Sequence, residues 1–199
     1  MLSFIPSDVE RILEIGCGAG EFAAAVKRER PKATVWGIEP VEVAAGISAD
    51  RIDRIICSTF EPGMPELADQ KFDCIIFNDV LEHLTDPDSI LRGAQEYLAP
   101  RGCVVASIPN ILYFYEITKI LWTEDWEYQD FGTLDRTHLR FFTRKSIVRM
   151  FESAGYEIQE IRGINAFAGK KFKIANLLTL GRLSDWKFVQ FGVRAVLAS

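Results

Sequence analysis

Three glycines and one acid stand where the first two strand-like runs of this sequence end. Gly16, Gly18 and Gly20 follow the apolar run at residues 11–15 in the pattern GxGxG. Glycines there let the backbone turn sharply and approach a ligand, towards which the N–H groups of the next helix point. Glu39 follows the second run, at a spacing that suits a carboxylate accepting hydrogen bonds from the two hydroxyls of a ribose. These residues predict a site for a ligand that contains a nucleoside.

The residue at position 21 distinguishes between two ligands that contain a nucleoside, NAD and S-adenosylmethionine. A dinucleotide-binding turn has the pattern GxGxxG, whose third glycine would fall at position 21, but Glu21 stands there. A carboxylate is a poor neighbour for the pyrophosphate of NAD, whereas S-adenosylmethionine (SAM) has no phosphate. The turn therefore favours SAM. An NAD-linked oxidoreductase is the less favoured alternative, and a purely structural turn with a coincidental acid is another.

Four segments resemble, in chain order, the motifs of the class I SAM-dependent methyltransferase superfamily: ILEIGCGAG, GIEP, FDCIIFNDVLEHLTDP and LAPRGCVVASIPN. The resemblance runs from about residue 11 to residue 164 and is to the type 11, 12 and 23 subgroups. It implies an active methyltransferase with SAM as its cofactor; a methyltransferase-like scaffold subunit without catalysis is the alternative from another class. The resemblance assigns cofactor binding to Glu14, Gly16, Cys17, Gly18, Glu39, Thr59, Phe60, Asn78, Asp79 and Val80.

The resemblance also implies which part of SAM each of these segments contacts. The glycine turn passes under the methionine part, and Glu39 holds the ribose. The segment 58–60 flanks the adenine, although many relatives have an aspartate where this chain has Ser58. Phe60 is expected either to stack on the base or to be an ordinary core residue. The segment 78–80, after the fourth strand, is expected to line the pocket near the sulfonium.

The acceptor is expected to bind at a lid-like insert, residues 109–142, because this irregular region is rich in aromatic residues. Its segment 126–143 resembles one in methyltransferases associated with sugar and cell-surface polysaccharide synthesis, which implies a small hydroxyl-bearing acceptor such as a sugar or a lipid-linked sugar. His138 is the candidate catalytic base, since a histidine titrates near neutral pH. The candidate substrate-binding residues are Tyr115, Asp135 and Arg140.

Alternatives without chemistry stay open for the same region. Asp135, His138 and Arg140 would equally form a polar cluster that anchors the lid to the sheet. The aromatic helix expected at residues 111–122 is favoured as core or as the contact of a homodimer. For Glu82 and His83, packing at the start of a loop is favoured over a role beside the cofactor. No metal site is predicted, because the two histidines are far apart in the sequence.

The composition limits the class of partner. The 199 residues are 48% hydrophobic and 26% charged, with a net charge of −5, which argues against nucleic acid. Residues 162–184 carry five basic residues and no acid. This basic stretch has three interpretations: a solvated face, a patch that binds an anionic substrate, or a contact with a membrane surface. The sequence predicts no signal peptide, no membrane span and buried thiols in a reducing compartment, so we expect a cytoplasmic protein.

The elements that must position these residues alternate between strands and helices. The predicted fold is α/β: a Rossmann-like, doubly wound, seven-stranded sheet, mostly parallel with an antiparallel C-terminal edge strand. It is expected to form one domain over residues 1–199. Helices are predicted at residues 21–30, from Asp86-Pro87, and from Thr143 to Gly155. The strands are predicted at residues 11–15, 34–38, 54–57, 72–77, 103–108, 156–164 and 187–198.

Overall fold

Residues 1–198 of the protein are described by a computed structural model, in which seven strands form one sheet. The strands are β1 (Arg11–Ile15), β2 (Thr34–Ile38), β3 (Arg54–Ile56), β4 (Phe72–Asn78), β5 (Leu98–Pro109), β6 (Tyr156–Ala166) and β7 (Phe188–Leu197). Their order is β3-β2-β1-β4-β5-β7-β6. The pairings from β3 to β5 are parallel, whereas β7 is antiparallel to both β5 and β6. The predicted fold class is confirmed, and the antiparallel edge is the β6–β7 pair with β6 outermost.

Six α-helices connect these strands in the described residues. They are α1 (Glu21–Glu29), α2 (Glu42–Ala49), α3 (Pro87–Ala94), α4 (Phe114–Thr123), α5 (Arg144–Ser153) and α6 (Lys170–Leu178). Sequence reasoning missed α2, whose N-cap is Val41 and makes no side-chain cap hydrogen bond. A helix that lacks a polar N-cap gives no start signal in the sequence.

Capping residues fix where two of the predicted helices begin and end. The Asp86 side chain accepts a hydrogen bond from the Ser89 N–H at 3.0 Å, directly before α3. Thr143 and Ser146 form a reciprocal capping box at the start of α5. Gly155 follows α5 with a φ of 87°, in the left-handed region that favours glycine. The predicted boundaries are confirmed at these points.

The sheet is buried on both faces, and successive residues of a strand alternate between two apolar cores. Leu13 and Ile15 of β1 lie in the larger core, whereas Ile12 lies in the smaller one on the other face. This alternation follows from the pleat of a strand. A sheet that is covered on both faces leaves its carboxyl edge as the place where loops meet and a ligand can enter.

The segment 109–142 folds back over that edge. It contains α4 and an irregular loop, and the N–H groups of Leu139 and Arg140 both donate to the carbonyl oxygen of Glu82, at 2.9 and 3.0 Å. Leu134 and Phe142 are buried, so the loop packs on the chain that follows β4. Among the helices of residues 1–198, none has the length and apolar character needed to cross a membrane.

Candidate active site

The glycine turn between β1 and α1 is held tightly against the neighbouring strands. Gly16, Gly18 and Gly20 have φ values of 68°, 53° and 75°, which L-residues with a Cβ rarely adopt. The Gly16 N–H donates to the Ile38 carbonyl oxygen at 2.8 Å. A Cβ at Gly16 would lie only 2.6 Å from a methyl group of Val80. The turn therefore needs glycine at position 16 both for conformation and for space.

Glu39, at the end of β2, is buried and points at this turn. Its Oε2 accepts a hydrogen bond from the Gly18 N–H at 2.9 Å, and its Oε1 accepts one from the Val41 N–H at 3.0 Å. A carboxylate has about four acceptor sites, so each oxygen keeps capacity for a further donor. The arrangement fixes the carboxylate and leaves it able to accept the two hydroxyls of a ribose.

A cavity of about 540 Å³ opens between the glycine turn and the ends of β2, β3 and β4. Of the residues predicted to bind the cofactor, its wall includes Gly16, Glu39, Thr59, Phe60, Asp79 and Val80. Sequence reasoning missed several other wall residues, which are apolar or lie in loops and carry no motif: Ile15, Ile38, Pro40, Val41, Leu84 and Ile90. A larger groove of about 750 Å³ lies beside Pro100 and Arg101, at the amino end of β5, away from the glycine turn.

The remaining predicted cofactor residues are not among those that line this cavity. Asn78 donates from Nδ2 to Glu14 Oε1 at 3.0 Å, and burial raises the pKa of Glu14 to about 7. The Cys17 sulfur lies 3.6 Å from the Ser48 hydroxyl, and burial raises its pKa to about 11, so it is a neutral thiol at neutral pH. Gly18 contributes its backbone N–H to Glu39. Cys17 and Gly18 thus belong to the turn itself, whereas Glu14 and Asn78 link β1 to β4.

A second, smaller cavity of about 190 Å³ adjoins the first and shares Asp79 and His83 with it. Its wall combines the end of β4, the insert and β7 and is mostly polar. The lining residues are Asp79, Glu82, His83, Pro109, Gly132, Thr133, Asp135, His138, Val189 and Gln190. Two adjoining cavities at one sheet edge would give a methyl donor and an acceptor separate room.

The predicted base, His138, is buried in the second cavity. Its Nδ1 lies 3.1 Å from the Thr133 carbonyl oxygen, and its Nε2 lies 3.9 Å from Glu82 Oε1. A carbonyl oxygen only accepts, so Nδ1 carries the proton and Nε2 keeps its lone pair. Burial lowers the pKa of His138, which favours this neutral form.

Glu82 is the least satisfied polar group at the site. Its side chain is 1% exposed, and neither carboxylate oxygen finds a hydrogen-bond partner in the part of the chain that the structure describes. Burial raises the pKa of Glu82 to about 8. The expectation that Glu82 and His83 mainly pack at a loop is incomplete, because both line the second cavity. Their position directly after a buried parallel strand was the available signal.

Asp79 stands between the two cavities in a strained conformation. Its φ is 51°, an uncommon value for a residue with a side chain. The Ser107 hydroxyl and Gln190 Nε2 both donate to Asp79 Oδ1, at 3.1 and 2.7 Å. Burial raises the pKa of Asp79. Contacts from β5 and β7 thus hold an acid at the point where the cavities meet.

The predicted substrate-binding residues are divided by the structure. Asp135 joins His138 in the second cavity. Arg140 lies in a separate shallow groove, where its Nε donates to the Thr85 carbonyl oxygen at 3.2 Å. Tyr115 lies on α4, with its ring centroid 5.3 Å from that of Phe167, and is not among the residues that line either cavity.

Comparisons with known proteins point to one family. The model of a family described as "Methyltransferase domain" matches residues 2–161. A ubiquinone biosynthesis O-methyltransferase of Aeromonas salmonicida is 29% identical over 171 residues, which are 83% of this chain and 71% of that protein. A protein of the same name from Escherichia coli is 31% identical over 109 residues, which are 51% of this chain and 43% of that protein. The match thus spans less than half the length of the E. coli relative.

A solved structure with a similar fold comes from Thermotoga maritima. It is a SAM-dependent methyltransferase described as a possible histamine N-methyltransferase, 19% identical, with a TM-score of 0.66. The similarity covers 98% of this chain and 84% of that one. Another structural neighbour, 18% identical with a TM-score of 0.62, is a [4+2]-cyclase, so the chemistry must be argued from the site rather than from the fold.

Proposed function

Because the chain belongs to the family of methyltransferase domains, we propose that it transfers the methyl group of SAM to an oxygen of a small hydroxyl-bearing acceptor. The observation that carries this proposal is the pair of cavities that share Asp79 and His83. One has the glycine turn and the carboxylate that suit SAM, and the other has the polar side chains that suit a hydroxyl group. The family assignment favours methyl transfer over hydride transfer to NAD.

The residues present fit SAM. When bound, SAM supplies a methyl group activated by a positively charged sulfur. Glu39 has free acceptor capacity for the ribose hydroxyls, and Gly16 lines the same cavity. Thr59 and Phe60, after β3, line the cavity and are proposed to flank the adenine, and Asp79, after β4, also lines it. The donor half therefore needs little rearrangement to receive the cofactor.

His138 is the proposed proton acceptor. Methyl transfer to oxygen is an in-line displacement, so the protein mainly aligns the two reactants and excludes water. A hydroxyl acceptor must also lose its proton, and a base within hydrogen-bond reach speeds this loss. His138 has an unprotonated Nε2 in the second cavity, and Thr133 fixes the orientation of its ring.

The acceptor class is the finer part of the proposal. Asp79, Asp135 and Gln190 give the second cavity several hydrogen-bonding side chains, which supports a sugar or a related hydroxyl compound. The names of the relatives, ubiquinone biosynthesis O-methyltransferases, favour a second candidate, a phenolic hydroxyl. In both cases the insert 109–142 would act as a lid over the acceptor.

Two measurements test the proposal in sequence. Isothermal titration of the protein with SAM is expected to show one site, and an absence of binding at millimolar SAM would refute it. Release of S-adenosylhomocysteine is then followed with two matched panels of acceptors, sugars and phenols. Turnover with the sugar panel supports the first candidate, and turnover confined to phenols supports the second. SAM binding without turnover on either panel would favour the scaffold alternative.

A further inference from the structure

We propose that Glu82, His83 and His138 bind a divalent transition-metal cation, of which Zn²⁺ is the probe of choice. Each of the three side chains offers one ligand atom, and these atoms lie within 4.8 Å of one another. His138 lies 55 positions after His83, so the fold rather than the sequence brings it to the neighbouring pair Glu82 and His83. The inference extends the proposed function, because the ligands line the proposed acceptor cavity.

The hydrogen bonds of the two histidines leave the same ring atom free in each. His138 Nδ1 donates to the Thr133 carbonyl oxygen, and His83 Nδ1 lies 3.2 Å from the Thr137 carbonyl oxygen. Because carbonyl oxygens cannot donate, both Nδ1 atoms carry protons, and Nε2 is the ring atom left in each histidine for a metal. Metal-binding histidines typically donate their other N–H to a backbone carbonyl or a carboxylate in this way.

Asp135 helps to keep the proton on His83 Nδ1, and it acts through Thr137. The Thr137 hydroxyl donates to Asp135 Oδ1 at 2.6 Å, so its proton is already used. The same hydroxyl lies 3.1 Å from His83 Nδ1 and must accept from it. Asp135 is thus a positioning residue in this proposal, because it orients His83 through Thr137.

Glu82 supplies the independent observation that points to a ligand. Its carboxyl group is buried beside the imidazoles of His83 and His138, and no hydrogen bond within residues 1–198 satisfies either oxygen. Buried carboxylates in proteins are paired, hydrogen-bonded or bound to a metal. A cation between Glu82, His83 and His138 would replace the carboxyl proton and satisfy both oxygens.

The donor set also fits the chemistry of such ions. Two histidines and one carboxylate form the ligand set of many catalytic zinc sites and of non-haem iron sites, with open positions for water or substrate. Ligand atoms around a tetrahedral ion with bonds of about 2.1 Å lie roughly 3.4 Å apart. The present separations, up to 4.8 Å, must therefore close by at most about 1.4 Å. Glu82 can make this movement because no hydrogen bond restrains its carboxylate.

The cation would change the role of His138 in the proposed reaction. When Nε2 binds the metal, it is not available as a base, and the metal instead lowers the pKa of an acceptor hydroxyl at its open position. The sulfur–methyl bond breaks, the oxygen–methyl bond forms, and the hydroxyl proton leaves to solvent. Metal-loaded and metal-free protein would then differ in how the acceptor is activated.

Metal binding is tested without any methyl transfer. Chelator-treated protein is titrated with Zn²⁺ by calorimetry in the absence of SAM and acceptor, and Co²⁺ absorption reports the coordination geometry. We expect one site, and at least about a hundredfold weaker binding for Glu82→Gln and for His138→Ala, since outer-shell changes alone cost about 10- to 100-fold. Glu66→Gln, at an exposed glutamate, and Cys57→Ser, at an exposed thiol, are matched controls that should bind as the parent does.

Each result decides the proposal. An absence of Zn²⁺ binding, or binding that Glu82→Gln leaves unchanged and Cys57→Ser removes, would overturn it. If Glu82→Gln does not fold, His83→Gln on the half-buried ring provides the second ligand variant. SAM binding is measured separately on the same samples. Zinc binding without SAM binding refutes the proposed function alone, and SAM binding without zinc binding refutes the cation site alone.

Discussion

The donor half and the acceptor half of this molecule are built in different ways. The donor cavity is formed by the ends of β1 to β4, and its central acid, Glu39, is held by two backbone N–H groups. The acceptor cavity combines the segment after β4, the insert and β7, and its central acid, Glu82, has both oxygens unsatisfied within residues 1–198. The central acid of the first is satisfied without a ligand, whereas that of the second is a buried carboxyl group that a ligand would satisfy.

This difference indicates how function is divided between them. A preformed donor cavity can bind SAM with little rearrangement, which lowers the entropy cost of binding. The acceptor cavity depends on the anchoring of the insert at the Glu82 carbonyl oxygen, so its geometry depends on distant contacts. Changes in the donor half should therefore act on SAM affinity, and changes in the acceptor half should act on turnover.

The largest effect is expected from His138→Ala. Loss of a group that activates the acceptor reduces turnover by about 10²- to 10⁴-fold, while the dissociation constant of SAM should change little because His138 lies in the second cavity. Turnover and SAM affinity are measured on the same preparation. A parallel loss of SAM affinity would break the division between the two halves, and full turnover would remove His138 from the reaction.

The next effect concerns the pH dependence of stability, at Glu14 behind the donor cavity. Burial raises the pKa of Glu14 from 4.5 to about 7, so between these values the folded state binds a proton that the unfolded state has lost. The free energy of unfolding therefore falls as pH rises from about 4.5 to 7, by on the order of 3 kcal/mol. Glu14→Gln should lack this loss and be the more stable protein above pH 7.

Denaturant unfolding of both proteins at pH 5 and pH 8 measures this difference. Other groups titrate in both proteins, so only the difference between the two curves reports on Glu14. Glu66→Gln serves as the control, because this glutamate is exposed and should leave the curve unchanged. A constant difference across the pH range would show that Glu14 is ionised in the folded protein.

The donor half could be predicted from the sequence more fully than the acceptor half. The glycine turn, Glu39 and residues 78–80 were predictable, because parallel strands bring their carboxyl ends to one edge and each motif is local. Helix α2 was not, since Val41 gives no capping signal. In the acceptor half, the approach of His83 to His138, with ring centroids 4.7 Å apart, depends on how the insert folds back.

The irregular fold of the insert also explains which of the predicted site residues lie together in the structure. His138 and Asp135 share a loop and share the second cavity, whereas Arg140, two residues beyond His138, lies in another groove. Spacing in an irregular loop does not determine direction, because no helical or strand period relates its side chains. The metal cluster was missed for that reason: sequence distance between histidines is not spatial distance in a loop-built site.

A change at the glycine turn should reduce SAM affinity by a smaller but clear factor. Gly16→Ala places a Cβ 2.6 Å from Val80 at a φ of 68°, so we expect the turn of the free variant to relax. Restoring the turn when SAM binds then costs about 2 kcal/mol, or roughly thirtyfold in affinity. Gly18→Ala is the matched control, because a Cβ there meets nothing within 4 Å and only the backbone strain remains. Calorimetry with SAM should rank parent, Gly18→Ala and Gly16→Ala in that order, and equal losses would mean that space at Val80 is irrelevant.

The smallest effect is expected at Arg140, which distinguishes an anchor of the insert from an acceptor contact. Its guanidinium donates to the Thr85 carbonyl oxygen on the chain after β4, outside the acceptor cavity. Arg140→Gln should loosen the insert locally, so that amide hydrogen exchange at residues 133–140 quickens by about fivefold, as expected for loss of one exposed hydrogen bond. SAM affinity and the melting temperature should stay unchanged, because the donor cavity does not involve this contact. If instead the KM for the acceptor rises more than tenfold with exchange unaltered, Arg140 contacts the acceptor directly, and the acceptor half extends beyond the polar cavity.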